Sequence, residues 1–146
     1  MQVLEGNTNI NLPYPTGAKL DLSKYDIEEQ FTLYKLPQQW NFETNLDFGD
    51  KIGVYIFTYK IGCIYHKLIY CGKTEHLNKR FYDHCNRHCI MEHNANYIAI
   101  HYCETNEMAE SIERKILKKI NFPCNSQNNQ NCENSTVTAE EVSIIR

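Results

Sequence analysis

No apolar run in this 146-residue sequence approaches the roughly 18 residues that a membrane-spanning helix needs, so no membrane partner is expected. The amino end, Met1 to Asn7, lacks the basic start and apolar core of a secretion signal, and a cytoplasmic protein is the default expectation. Cysteine pairs of the CxxC type are missing. The seven cysteines (63, 71, 85, 89, 103, 124 and 132) therefore fit neither a zinc ribbon nor a thioredoxin-like redox site, and they read as reduced thiols. Positive charge is short as well. The net charge of −3 argues at first sight against a nucleic-acid partner, because duplex binding draws on Lys and Arg to displace counterions. Proline is scarce, with three of the four in residues 1–50, and no internal repeat is present.

What is there is globular. Hydrophobic residues make up 42% and charged residues 23%, and sixteen residues are Tyr or Phe, so aromatics carry much of the packing in one core. The charge is unevenly placed. Residues 1–50 hold three basic and eight acidic side chains, residues 51–103 seven and three, and residues 104–146 five and seven, so only the middle third is basic, at +4. The chain divides accordingly into an acidic extension (1–50), a core (51–125) and a polar, Asn/Gln-rich linker with a tail (126–146).

In the extension, Asp21 to Gln30 reads as a short helix capped by Asp21 or Ser23. The extension either covers the basic middle region or adds strands to its sheet. In the core, Lys51 to Tyr59 and Leu68 to Lys73 are rich in β-branched and aromatic residues and read as two strands joined as a hairpin with a long connection. Thr74 to His88 places Leu77, Phe81 and Cys85 four apart, which suits a helix starting at a Thr74 cap. Asn96 to Cys103 is a third strand. Thr105 to Ile120 has a Thr cap, acids early and lysines late, the charge order that a helix dipole favours. The order strand, strand, helix, strand, helix predicts an α+β fold with a small three-stranded, mostly antiparallel sheet flanked by helices. The tail from Thr136 reads as the start of a capped helix, similar to the first helix of a helix-turn-helix module.

Gly53-Val54-Tyr55 on the first strand and Tyr70-Cys71-Gly72 on the second, followed in order by Arg80, His84, Glu113 and Asn125, resemble the GIY-YIG nuclease family. The resemblance covers about half the chain. Cys71 departs from the usual aliphatic residue, at a position expected to point into the core. The resemblance implies a DNA endonuclease of the homing or phage-encoded type, acting as a monomer or a dimer on DNA. Its metal would be magnesium, with manganese able to substitute, held by Glu113 as the one carried-over carboxylate in a one-metal mechanism. Arg80 would hold the scissile phosphate, Tyr55 would act as general base, and His84 would share a proton with a tyrosine hydroxyl. Tyr70 would orient the phosphate or a water, Lys73 would assist the leaving group or lower the Tyr55 pKa, and Asn125 would clamp nearby backbone.

Each residue also has an ordinary structural role to offer. Strand tyrosines usually pack, and a helix Glu usually lies on a solvated face. Glu113 borders the apolar stripe of Ile112, Ile116 and Ile120 rather than opposing it. Two other function classes stand beside the nuclease: a non-catalytic DNA-binding module on the same scaffold, and a zinc-dependent regulatory protein using Cys85, Cys89, His88 and His93. Retention of Tyr55, Arg80 and Glu113 together favours the enzyme.

Overall fold

The computed structural model describes residues 10–11, 13–42, 45–79, 86–125 and 137–146. The centre of the fold is a long hairpin, β5 (Ile52–Ile61) and β6 (Tyr65–Thr74). It runs nearly without interruption through β-branched and aromatic residues, which favour a pleated, buried surface. Only residues 62 to 64 connect the two strands, so the expected long connection is instead extra strand length. β7 (Tyr97–Cys103) pairs antiparallel with the other side of β5, with Tyr55 opposite Ile100.

The sheet does not stop at three strands. β3 (Thr32–Lys35) pairs with β7, β2 (Tyr14–Leu20) with β3, and the carboxyl segment supplies both outer strands, β8 (Glu140–Val142) beside β6 and β9 (Ile144–Ile145) beside β2. The result is seven antiparallel strands in the order β8-β6-β5-β7-β3-β2-β9. This overturns the expected three-stranded sheet. One residue, Ser143, separates β8 from β9, so a single short segment joins the two ends of the sheet and curls it into a nearly closed, barrel-like form. The Ser143 carbonyl accepts from the Asp21 N–H at 2.9 Å. The advantage is physical, since closure removes the unpaired strand edges that an open sheet presents.

Two other expectations fail for the same reason, pairing between distant segments. The tail is strand rather than helix, because Val142 and Ile144 find buried or half-buried places against the sheet. Of the two roles weighed for the acidic extension, its strands join the sheet. β1 (Ile10–Asn11) and β4 (Asn45–Leu46) form a separate two-stranded parallel sheet. The segment from Asp21 forms only one 3-10 turn, Ser23–Tyr25, with the Asp21 carboxylate accepting from the Ser23 N–H and hydroxyl.

Helix α2 (Asn106–Lys119) starts where the sequence places it, with the Thr105 hydroxyl accepting from the Met108 N–H at 3.1 Å. Its buried stripe, Ala109, Ile112 and Ile116, packs inside the curl of the sheet against Leu33, Val54, Ile56, Leu68, Cys71 and Val142. The opposite face of the hairpin, carrying Tyr55, Phe57, Ile69 and Tyr70, packs in a second core with Trp40, Phe42, Leu77, Cys89, Ile90 and Cys124. The expected helix does not start at Thr74, and its residues 80–85 lie outside the described residues. β6 runs on through Thr74, whose hydroxyl accepts from the His76 N–H in a local turn, and α1 occupies Arg87–Glu92. Leu77 is drawn out of helical spacing because it buries completely over Gly53 and donates its N–H to the Lys51 carbonyl.

Candidate active site

The site is organised by β6. A register shift between Phe57 and Thr58 leaves Ile69 as the extra residue of a β-bulge, since Phe57 faces Tyr70 while Thr58 faces Leu68. Bulges re-aim side chains. Here Ile69 and Tyr70 both turn to the second core, whereas Leu68 and Cys71 turn towards α2.

On the first of these faces, Tyr55 lies directly across from Gly72. A Cβ at Gly72 would sit 2.6 Å from the Tyr55 hydroxyl and 2.8 Å from the Tyr70 ring, so only glycine lets the phenol lie over the strand towards its outer edge. The two tyrosine rings are 6.1 Å apart, centroid to centroid. Tyr55 is fully enclosed, and Tyr70 nearly so at 7% exposure. Gly53 is held to a glycine by an equally close approach, because a Cβ there would meet the His101 carbonyl and the Leu77 side chain, each at 2.9 Å.

On the opposite face, Lys73 pairs with Val54 and reaches α2, where its Nζ donates to Asn106 Oδ1 at 2.9 Å and lies 3.4 Å from the Glu110 carboxylate. Lys73, Glu110, Glu113, Arg114, Leu117 and Lys118 line an open groove of about 450 Å³. Glu113 is half-buried there. Burial pushes the Cys71 thiol well above the usual range, and the negative charge of Glu113 adds to it. As expected, Cys71 is an apolar core residue.

The outer edge of β6 is paired with β8 only over His66 to Leu68. Beyond that, the segment after α2 takes over. Cys124 donates its N–H to the Ile69 carbonyl, and Asn125 meets Cys71 with both ends of its amide, Oδ1 accepting at 2.7 Å and Nδ2 donating at 2.9 Å. The side chain thus substitutes for a neighbouring strand.

The sequence-predicted residues therefore fall into separate groups. Tyr55 and Tyr70 come together over Gly72. Lys73 and Glu113 share the groove on the α2 side, so Lys73 is not beside the Tyr55 hydroxyl, and Asn125 sits between the two groups at the edge. Arg80, His84 and Cys85 lie outside the described residues. Sequence reasoning missed Glu110, Arg114 and Lys118, although their spacing along α2 puts them with Glu113 on one helical face.

Sequence reasoning also misjudged two cysteines. Cys89, on α1, and Cys124 form a disulfide rather than two reduced thiols, because the fold brings residues 35 apart in sequence to a Cα separation of 5.7 Å. Cys63, Cys71 and Cys103 are free.

The groove suits a hard divalent cation, since its donors are carboxylate oxygens and its open mouth leaves room for retained water. Among the described residues, no helix is long and apolar enough to cross a membrane. A protein-family model described as the GIY-YIG catalytic domain matches residues 51–128, more than half of the chain. No curated protein and no solved structure gives a significant match.

Proposed function

The chain belongs to the GIY-YIG catalytic domain family, a family of nucleases, and from that premise we propose that it is a divalent-metal-dependent DNA endonuclease working across the edge of β6. The observation that carries this reading is the crowding of Tyr70, Gly72 and Lys73 into four residues of one strand, with Tyr55, Glu113 and Asn125 packed around them. Such a strand edge is narrow enough for a phosphodiester to be approached from both sides.

In this reading Glu113 holds one magnesium ion, which supplies Lewis acidity at the phosphate. Lys73 and Arg114 provide fixed positive charge beside it, where negative charge develops as the bond to water forms. Tyr55 takes the proton of that water and Arg80 holds the phosphate, while the Lys73 ammonium stabilises the departing oxygen. Tyr70 and His84 orient and relay protons around Tyr55. Because Tyr55 is enclosed and its ring and that of Tyr70 fill the space over Gly72, the base role requires these rings to shift before water reaches the phenol oxygen. Asn125 acts by fixing the β6 edge rather than by touching substrate.

Incubation of the full chain with supercoiled plasmid and magnesium tests the reading. Cleavage should be abolished by chelator and should fall at least about 100-fold in Glu113→Gln and Tyr55→Phe, the order of loss typical of a removed acid–base group. Cleavage that survives both substitutions would reject it. Mapping cut ends on a long DNA then separates nicking from double-strand breakage and site-selective from tolerant cutting. It also bears on a homing or phage-type role.

A further inference from the structure

We propose that Cys89, His93 and Cys124 form a binding site for a soft divalent cation, zinc by its donor set, when the two thiols are reduced. This site is separate from the carboxylate groove at Glu113 and does not depend on the nuclease reading. Among the described residues these three bring their ligand atoms within 4.8 Å of one another. His93 Nδ1 lies 3.8 Å from Cys89 Sγ and 3.7 Å from Cys124 Sγ. With zinc–sulfur bonds of about 2.3 Å and zinc–nitrogen bonds of about 2.0 Å, a tetrahedral centre has sulfur–nitrogen edges of roughly 3.5 Å. Two of the three ligand–ligand edges are thus already near their required length. Only the sulfur–sulfur edge must open.

The surroundings favour the same conclusion. Cys89 is 1% exposed and Cys124 is fully buried, whereas His93 is half-buried, leaving one side for a water as fourth ligand. The cysteines come from two elements, α1 and the segment following α2, which is what a structural metal joins and what a single helix carrying Cys89 and His93 would not provide. Hardness separates the two sites, since thiolate and imidazole select zinc while carboxylate and water suit magnesium.

The chemistry balances simply. A phosphine reductant gives two electrons to the disulfide and takes the oxygen of one water to become the phosphine oxide, and the two protons of that water complete the thiols. Zinc then displaces both thiol protons. His93 Nδ1, 2.9 Å from the Cys89 carbonyl, gives up that hydrogen bond, its proton moving to Nε2 by exchange with solvent. Cys124 precedes the Asn125 clamp and donates to the Ile69 bulge, so an ion here pins the outer edge of β6 to α1.

Cobalt(II) titration of the full chain, reduced with phosphine under anaerobic conditions, tests the proposal. One equivalent should produce thiolate-to-metal charge-transfer absorption with tetrahedral d–d bands, and zinc should bleach them. Cys124→Ser and His93→Ala should weaken binding by more than the roughly 10–100-fold that loss of an outer-shell partner costs, whereas Cys63→Ser, at the exposed hairpin turn, should change nothing. His93→Ala keeps both cysteines, so it reports on coordination even if a cysteine variant folds poorly. Absence of the bands in the reduced wild-type chain overturns the site, and so does their persistence in a folded Cys124→Ser protein.

Discussion

The side-chain amide of Asn125 engages both backbone polar groups of Cys71, accepting from its N–H at 2.7 Å and donating to its C=O at 2.9 Å. These groups lie on a strand edge where β8 has already ended, so the clamp satisfies a donor and an acceptor that would otherwise depend on water. Asn125→Ala should destabilise the protein by about 1–3 kcal/mol, measured by urea unfolding. Asn125→Asp keeps the acceptor but sets a carboxylate against the Cys71 carbonyl, and should be no better.

Gly72→Ala places a methyl group 2.6 Å from the Tyr55 hydroxyl. The expected loss is about 1–3 kcal/mol of stability from overpacking, with cleavage reduced at least as much as in Tyr55→Phe. The double variant Gly72→Ala with Tyr55→Phe removes the worst clash, so it should regain part of the stability and none of the activity. Calorimetry and plasmid cleavage read the two effects separately.

His66 is buried between Thr58, with which it shares a 2.9 Å hydrogen bond, and the edge of the Tyr97 ring. Burial, with a smaller contribution from Lys60, pushes its pKa from 6.5 down to about 4. The folded protein therefore binds fewer protons than the unfolded chain between these values. Stability should be unaffected by this residue above pH 6.5 and should fall by about 3 kcal/mol as pH drops from 6.5 to 4. His66→Gln should flatten that part of the curve of melting temperature against pH.

Arg114 and Lys118 are exposed cations at the groove. If DNA runs along it, Arg114→Glu combined with Lys118→Glu should weaken binding at low salt. The slope of log affinity against log salt should become shallower by about 0.9 for each phosphate that the variant no longer neutralises. An unchanged slope in a titration followed by fluorescence anisotropy would place the DNA elsewhere.

Removing residues 140–146 would expose both ends of the sheet, uncover buried Val142 and delete the 2.6 Å hydrogen bond from the Tyr25 hydroxyl to Glu140. Val142 alone is worth about 1.5–3 kcal/mol. The truncated chain should lose at least that much stability in urea unfolding and should aggregate through its new edges, which light scattering would detect.

The features legible in the sequence are those set by neighbours along the chain. The Thr105 cap, the Ala109, Ile112 and Ile116 stripe and the lysines at the end of α2 state a helix within one short window. The β-branched and aromatic runs of β5 and β6 state a hairpin, and the family's residues can be read on it by order alone. Thr74 misleads because its hydroxyl caps a two-residue turn as readily as a helix, and the rest of the chain chooses between them.

By itself the sequence determined the family, the hairpin, the third strand and α2, since each is marked by residue types and spacings within one short window. Only the tertiary structure decided that residues 14–35 and 140–145 complete the sheet, that Cys89 meets Cys124, and that a bulge at Ile69 sets which face each neighbouring side chain takes. Those outcomes depend on strand register and on surfaces from distant parts of the chain burying one another. A one-residue shift in register reverses every side chain that follows, and no local pattern records it.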